Sequence, residues 1–234
     1  MPCRLQAVAF DAYDPIRLAG FWADLLGRTV VEDHGGALLP GSDTQVGLRF
    51  SPGRPGDRSL RRLHLHVLDL TAAGQEETVE RAQELGAVHV DVGQLPEERH
   101  VVLADPEGNR FCVIEPGNSF LAGCGPLAEV ACEGTRAVGL FWAEALGWPL
   151  VWDESQETAV QSPQGGTKVS WGGPPLTAKL GRNQQRLDLA LAPGDQVDEV
   201  ERLVRLGATR IAACGGAVEL ADPDGNEFLL LDHD

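Results

Sequence analysis

The sequence contains few cysteines, and none of them form a CxxC pair. The five are Cys3, Cys112, Cys124, Cys132 and Cys214. Their odd number and wide spacing argue against a disulfide framework and against a zinc ribbon. Cysteines that form neither disulfides nor a zinc site are typical of proteins in a reducing compartment, so we expect the protein to be cytoplasmic.

Positive charge and long apolar runs are also scarce. The chain has 19 Lys and Arg against 35 Asp and Glu, a net charge of −16. An acidic surface of this size argues against nucleic acid and anionic membranes as partners. No apolar run approaches the roughly 20 residues of a membrane span. The first five residues lack the basic region and apolar core of a signal peptide, so we expect no export signal.

One short motif occurs twice. Residues 104–111 read ADPEGNRF, and residues 221–228 read ADPDGNEF, which is 117 positions later (222 − 105). Asp, Pro, Gly and Asn in this order predict a tight turn, because Pro presets φ and Gly and Asn tolerate left-handed backbone. An apolar run follows each turn, at 111–114 and 228–231, and predicts a buried strand.

Three further blocks repeat in the same order along the chain. They are 19–27 with 139–147 at an offset of 120, 84–87 with 205–208 at 121, and 61–65 with 185–189 at 124. Four matching blocks with a slowly drifting offset indicate a duplication. The sequence therefore predicts a first domain at 1–117, a linker at 118–126 and a second domain at 127–234. Each domain is large enough to bury a core.

Within each repeat, the pattern of elements is β-α-β-β-β, twice over. Asp14 followed by Pro15 predicts a helix start, and Gly27 predicts its end. Further strands are predicted at short apolar segments, and residues 63–67 alternate as a half-buried strand does. A second amphipathic helix is predicted to end at Gly86, before strands at 88–92, 100–103 and 111–114. Trp22 and Trp142 fall within the helix patterns and are predicted to be core residues.

These features together resemble the glyoxalase/bleomycin-resistance/dioxygenase family, also called the vicinal oxygen chelate superfamily. The features are the helix pattern FWADLLG, the mid-domain strand RLHLHV, the helix end ELGA and the closing LADPEGNRFCVIE. The chain looks most like glyoxalase-like domain proteins with tandem copies. The resemblance implies an α+β fold with two tandem domains. In each, two βαβββ modules would form a curved mixed sheet around a cavity.

The resemblance also implies where a metal would bind. Family enzymes bind Fe, Mn, Ni or Zn through inward His, Gln or Glu residues on the first, mid-domain and last strands. In the first domain these positions fall on Ala7, His64 and Cys112. In the second domain they fall on Glu129, Asp188 and Leu229. Ala and Leu cannot be ligands, so neither domain carries the complete set and no complete metal site is expected.

His64 and His66 lie on one face of their strand, because side chains alternate along a strand. With Cys112 they could form a metal site of two imidazoles and one thiolate. The alternative is that both are polar pocket residues, with His64 contacting a ligand or transferring a proton. Cys112 is predicted to be a buried, inert thiol, and a nucleophile only if its thiolate is stabilised.

Two acidic residues and several aromatic residues complete the candidate site. Glu129 and Asp188 could act as ligands or as an acid–base pair, but pairing with arginine, such as Arg186 beside Asp188, is the simpler role. Trp152 and Trp171 fall on or beside predicted strands, where they could line a cavity and stack on flat ligands. Trp148 belongs to the same group, and Trp171 matches Phe50 at an offset of 121.

An arginine-rich loop at 54–62 could hold an anionic ligand, although such loops are commonly solvated surface. The sequence thus favours a protein that binds a small, partly apolar or aromatic molecule without a complete metal site. The rival hypothesis is a metal-dependent glyoxalase-type lyase or isomerase, or an extradiol-type dioxygenase, with an irregular site. A third is a duplicated protein that works through a protein surface. Either a monomer or a homodimer is compatible with a tandem repeat.

Overall fold

The structure, a computed structural model, describes residues 3–53, 61–68, 74–95, 97–191 and 196–232. Within them the chain forms four successive modules of one helix and four strands. The first has β1 (Arg4–Ala12), α1 (Pro15–Leu26), β2 (Val31–Asp33), β3 (Gly36–Leu39) and β4 (Gly47–Pro52). The second has β5 (Leu63–Val67), α2 (Gln75–Glu84), β6 (Val88–His89), β7 (Val101–Ala104) and β8 (Arg110–Val113). The third has β9 (Leu127–Cys132), α3 (Arg136–Leu146), β10 (Leu150–Glu154), β11 (Glu157–Gln161) and β12 (Lys168–Trp171). The fourth has β13 (Gln185–Ala190), α4 (Gln196–Leu206), β14 (Thr209–Cys214), β15 (Ala217–Ala221) and β16 (Glu227–Leu231).

The strands form two mixed sheets of eight strands. The first sheet has the order β14-β15-β16-β13-β1-β4-β3-β2, and the second has the order β10-β11-β12-β9-β5-β8-β7-β6. The α+β fold with two modules to a sheet is therefore confirmed, but the two modules of each sheet come from different repeats and not from one predicted domain. The modules that share a sheet are the first with the fourth and the second with the third. The boundaries at 117 and 127 stay a prediction about the sequence repeat, because each repeat contributes one module to each sheet.

The centre of each sheet follows one pattern. In the first sheet β1 pairs parallel with β4 and antiparallel with β13, which in turn pairs parallel with β16. In the second sheet β9 pairs parallel with β12 and antiparallel with β5, which pairs parallel with β8. The four central strands of each sheet are thus the first and last strands of two modules, and these strands carry the candidate metal-ligand positions.

Local capping explains the first helix of each repeat. The Asp14 side chain accepts a hydrogen bond from the Arg17 amide at 3.1 Å, and Pro15 occupies the first turn. Gly27 ends α1 with a φ of 64°, and Gly147 ends α3 with a φ of 65°. Both glycines take the left-handed conformation that closes a helix at little steric cost. The predicted start of α1 at Pro15 and its predicted end at Gly27 are confirmed.

The repeated turn is held by its aspartate. Oδ1 of Asp105 accepts from the amides of Glu107 at 3.0 Å and Asn109 at 2.8 Å. Gly108 takes a φ of 78°, as predicted. Asn109 instead contributes its side chain, which donates to Asp105 Oδ2 at 2.9 Å. The turn is therefore a closed hydrogen-bonded unit that delivers the chain into β8.

Two predicted segments differ in extent or fall outside the described residues. The strand predicted at 88–92 is only the two-residue β6, followed by one further backbone bond from Val90 to Val102, because the chain then turns at Asp91, whose side chain accepts from the Gly93 amide at 2.9 Å. The arginine-rich loop lies outside the described residues, except for Arg61 and Arg62. Among the helices formed by the described residues, none has the length and apolar character needed to span a bilayer.

Candidate functional site

A cavity with a volume of about 940 Å³ lies over the second sheet. One part of its lining is apolar and comes from the β6–β7 side of the sheet: Val90, Val92, Val102 and Ala104. The other part is polar and comes from the central strands: His64, His66, Arg110, Cys112, Glu129 and Ser170. Concave sites with apolar walls and a few convergent polar groups are typical of small-molecule sites.

Strand register brings four of these polar residues together. His66 lies opposite Cys112 on β8 and opposite Glu129 on β9. His64 lies two residues before His66 on β5, so the two imidazoles share a face. Side chains at opposing positions on neighbouring strands point to the same side of a sheet. The predicted association of His64, His66 and Cys112 is present, and Glu129 joins them.

The atoms of this cluster are in hydrogen-bonding contact. His66 Nδ1 is 2.6 Å from Glu129 Oε2, and His66 Nε2 is 2.9 Å from His64 Nε2. One donor atom from each of His64, His66 and Cys112 can be chosen so that all three lie within 4.8 Å of one another. We call these four residues, His64, His66, Cys112 and Glu129, the histidine cluster.

Burial and neighbouring charges shift the pKa values of the two imidazoles in opposite directions. Burial, together with the charge of His66, lowers the pKa of His64 to about 4. Burial also disfavours a charge on His66, but its contacts with Cys112 and Glu129 outweigh burial and raise its pKa to about 9. Burial would raise the pKa of Glu129, yet the bond from His66 lowers it. A charged His66 can donate to Glu129 from Nδ1 and to a neutral His64 from Nε2.

The same residues fit a metal ion as a donor set. Two imidazole nitrogens and a cysteine sulfur are ligands that zinc and related first-row metals accept. Glu129 lies where a carboxylate orients a ligating imidazole through its second nitrogen. This set differs from the ligands that the family resemblance implies, because cysteine occupies the last-strand position.

The corresponding positions in the first sheet are filled differently. There Asp188 lies opposite Ala7 on β1 and opposite Leu229 on β16. By this register Asp188 is the counterpart of His66, so the predicted equivalence with His64 is wrong by two residues. Asp188 is completely buried, and Arg49 Nη1 lies 2.6 Å from its Oδ2. The predicted pairing of Asp188 with an arginine is confirmed, with Arg49 as the closer partner.

Glu129 and Asp188 lie in different sheets and do not form a pair. Burial raises the pKa of Asp188, while the charges of Arg186 and Arg49 oppose that shift. Arg186 Nε is 3.7 Å from Asp188 Oδ1, and Arg186 Nη1 donates to Asp11 at 2.8 Å. The first sheet therefore carries a ladder of ion pairs where the second sheet carries the histidine cluster.

The aromatic candidates lie away from the histidine cluster. Phe50 is fully buried and stacks on Phe10, with ring centroids 5.1 Å apart. Trp171 is buried and stacks on Trp142 at 6.4 Å, where it lines a separate small cavity of about 30 Å³. Trp152 is 39% exposed and contacts Phe120 edge-on. Ligand contact by Phe50, Trp152 and Trp171 stays a prediction.

The remaining tryptophans are Trp148, a third candidate for a cavity wall, and the two predicted core residues Trp22 and Trp142. Trp148 borders a separate cavity of about 460 Å³, at the side of the molecule where residues 40–46 approach residues 162–167. Trp22 and Trp142 are buried core residues, as predicted.

Sequence reasoning missed several residues that line the cavity over the second sheet, among them His100, Arg110 and Ser170. Arg110 could have been predicted from the sequence, because it precedes Cys112 by two positions in a strand and therefore lies on the same face. The sequence predicts Glu129 as a site residue but not its association with His64 and His66, because these residues belong to different repeats.

Comparison with known proteins agrees with this architecture. The family model described as glyoxalase-like domain matches residues 7–114 and 128–231. Glyoxalase I from Zea mays superposes with a TM-score of 0.64 at 14% identity, covering 98% of this chain and 92% of that one. A putative dioxygenase from Bacillus subtilis subsp. subtilis str. 168 superposes with a TM-score of 0.65 at 12% identity, covering 99% and 85%. No curated protein sequence matches the chain. At these identities the two solved structures share the fold alone.

Proposed function

The chain belongs to the glyoxalase-like domain family, and we propose that it binds a small, partly apolar molecule in the cavity over the second sheet. The observation that carries this proposal is the division of the cavity into an apolar side and a polar end. Val90, Val92 and Val102 line the apolar side, and the histidine cluster lies at the polar end. A ligand with an apolar body and an oxygen-bearing group is complementary to both.

His64 is the residue of the cluster best suited to contact the ligand. Its lowered pKa keeps the imidazole neutral at physiological pH, with Nε2 facing His66. His66 and Glu129 are engaged with each other, so they position His64. A neutral imidazole beside a bound molecule can donate or accept a proton. The proposal therefore includes proton transfer by His64 for a ligand that has a labile proton nearby.

Among the residues that the structure describes, we propose a single site of this kind. The equivalent face of the first sheet is occupied by Arg49, whose guanidinium donates to Asp33 at 2.7 Å and to Asp188 at 2.6 Å. The cavity that remains beside it has a volume of about 390 Å³ and is lined by charged residues of both signs. A partly apolar ligand would gain little there, because it would desolvate these charges without replacing their partners.

N-phenyl-1-naphthylamine, a neutral dye that fluoresces in apolar surroundings, tests the proposal. We expect saturable binding to the native protein and weaker binding in Ala131→Trp, because Ala131 lines the cavity opposite His64 and a larger side chain there occupies space beside the histidine cluster. The matched control is Ala190→Trp, which places the same side chain in the cavity of the first sheet. Equal binding by both variants, with both folded, would contradict the proposal.

A second candidate function is metal-dependent chemistry at the same cluster, as a glyoxalase-type lyase or isomerase or a dioxygenase. The observation that favours it is the contact geometry: His64 and His66 nitrogens at 2.9 Å, with Cys112 close by. His64, His66 and Cys112 would hold the ion, and Glu129 would orient His66. A divalent ion there would supply Lewis-acid polarisation of a ligand oxygen.

Titration with Co²⁺ separates the two candidates, because a cobalt–thiolate bond gives a charge-transfer absorption band. The metal hypothesis expects this band to saturate at one equivalent, to disappear in Cys112→Ser and to persist in Cys124→Ser. Cys124 is also a buried thiol, but it lies outside the cluster. Absence of the band in the native, reduced protein would contradict metal binding through Cys112 and leave the metal-free candidate.

A further inference from the structure

We infer that the molecule bound over the second sheet is an organic anion and that Arg110 holds its charged group. The inference rests on the proposed function and adds the chemical class of the ligand. It is drawn from the charges that line the cavity and from the partners that each of them has.

The lining of the cavity is positive in a strongly acidic chain. Three arginines, Arg61, Arg62 and Arg110, line it together with two carboxylates, Glu129 and Glu133. Counting arginines against carboxylates alone (3 − 2), the lining has an excess of one positive charge, whereas the whole chain carries −16. A cavity whose sign opposes that of the surrounding surface concentrates anions at its mouth, since the rest of the surface repels them.

Most of these charged side chains already have hydrogen-bond partners within the protein. Glu129 is bound to His66 at 2.6 Å. Glu133 accepts from the Thr177 amide at 2.9 Å and from the Thr177 hydroxyl at 3.0 Å. The Arg62 guanidinium is buried and donates to Asn226 Oδ1 and to the carbonyl of Thr177. These groups form the frame of the cavity.

The other two arginines differ in their contacts with the rest of the protein. Arg61 donates from Nε to Gln184 Oε1 at 3.0 Å and from Nη2 to the Glu107 carbonyl at 3.4 Å. Arg110 is exposed and begins β8, two residues before Cys112 on the face that lines the cavity. Within the described residues, the Arg110 guanidinium has no ion pair and no hydrogen bond to a side chain or carbonyl.

The equivalent position in the first sheet holds a residue of the opposite charge. Arg110 lies opposite Ala104, and its counterpart Glu227 lies opposite Ala221 at the start of β16. Glu227 is paired with Lys179, with Nζ 2.8 Å from Oε1. The charge at this place is therefore reversed between the sheets and is internally neutralised only in the first. An arginine facing a cavity with partly apolar walls is complementary to a carboxylate or sulfonate on an apolar body.

Two dyes that share one ring system test the inference on the intact chain. 8-Anilino-1-naphthalenesulfonate carries a sulfonate that N-phenyl-1-naphthylamine lacks. We expect Arg110→Gln to weaken binding of the sulfonate by about three- to tenfold, the range of a charge-assisted contact at a solvated position. Binding of the neutral dye should not change. Arg110→Lys, which keeps the charge, should recover most of the loss.

The control is Arg210→Gln, which removes one positive charge from an exposed position on β14, away from the cavity. Unchanged sulfonate binding in Arg110→Gln, or equal weakening of both dyes, would overturn the inference while the proposed function stands. Equal effects of the Arg110 and Arg210 substitutions would overturn it as well, because only net charge would then matter. If the neutral dye fails to bind the native protein at all, the proposed function fails and the inference falls with it.

Discussion

The indole Nε1 of Trp22 donates a hydrogen bond to Oδ2 of Asp105 at 3.1 Å, across 83 positions of sequence. Trp142 and Asp222 form the corresponding bond at 3.4 Å. Trp22 belongs to α1, which packs on the first sheet, whereas Asp105 leads into β8 of the second sheet. The bond therefore joins the two halves of the molecule. It also explains why the FW helix motif and the ADPxGN turn occur together in each repeat: they are hydrogen-bonded partners.

Trp22→Phe should destabilise the protein by about 1–3 kcal/mol, because it removes this bond and leaves a void against Phe111. Trp142→Phe should cost less, since its bond is longer. Chemical denaturation with urea measures both free energies of unfolding. The control is Trp152→Phe at a partly exposed tryptophan on β10, where we expect little change. Equal losses at Trp22 and Trp152 would contradict the role assigned to the bond.

Breaking the buried ion pair of the first sheet should be more damaging. Arg49→Met leaves the Asp188 carboxylate buried without its main partner, and such a loss costs about 3–5 kcal/mol. Arg49→Met combined with Asp188→Leu should recover a large part, because the orphaned charge is removed. Urea denaturation of both single variants and the double variant measures the coupling. Strictly additive losses would show that the two side chains do not depend on each other.

The stability of the Arg49→Met variant should depend on pH in a defined direction. Burial raises the pKa of Asp188, and Arg49 opposes that shift, so Arg49→Met raises the pKa further. A carboxyl group with a raised pKa in the folded state stabilises the fold at low pH, and that stability is lost as the pH rises through the folded pKa. Relative to the native protein, Arg49→Met should therefore be less destabilised in mildly acidic than in mildly alkaline buffer. Urea denaturation at the two pH values checks this, and an opposite trend would contradict it.

Sequence alone predicts the features that depend on local chemistry. Asp14, Gly27 and the ADPxGN turns lie at their predicted places, because capping and turn formation involve only neighbouring residues. The α+β class and the four βαβββ modules follow from the order of these local signals. None of these signals identifies which module borders which, since the alternating pattern of a strand fixes its buried face and not its neighbour.

Two site residues, Glu129 and Asp188, show this limit. Glu129 contacts His66 because β9 borders β5, although the two strands belong to different repeats. Asp188 aligns with His64 by sequence, yet the strand register places it opposite Ala7, as His66 is placed opposite Glu129. A shift of two residues preserves the alternation of an RLDLA or RLHLH segment, so periodicity cannot detect it. Only the long-range pairing resolves both assignments.

Glu129→Gln tests the orienting role of the carboxylate if the cluster holds a metal. Loss of the charge beside His66 Nδ1 should weaken Co²⁺ binding by about 10- to 100-fold, the usual effect of removing such a partner. Glu133→Gln is the matched control, because Glu133 lines the same cavity but contacts Thr177. Titrations followed by visible absorbance measure both affinities. Similar weakening by the two substitutions would indicate a general electrostatic effect.

The pairing of the second module with the third can be tested by a single cysteine. Leu63 on β5 lies opposite the native Cys132 on β9, and opposing residues on antiparallel strands lie within reach of a disulfide. Oxidised Leu63→Cys should therefore form a bond between the two repeats. If a protease site is inserted after Gly117, which is exposed, the cleaved variant should still run as one species of 25.0 kDa under non-reducing denaturing conditions.

Leu187→Cys is the control for this cross-link, because Leu187 lies opposite Val8 in the first sheet and has no cysteine across from it. After cleavage, oxidised Leu187→Cys should separate into two fragments, and reduction should separate the Leu63→Cys protein in the same way. Were each sheet built from two consecutive modules, Leu63 and Cys132 would lie in different sheets. Both cysteine variants would then yield separate fragments, and Glu129 could not contact His66.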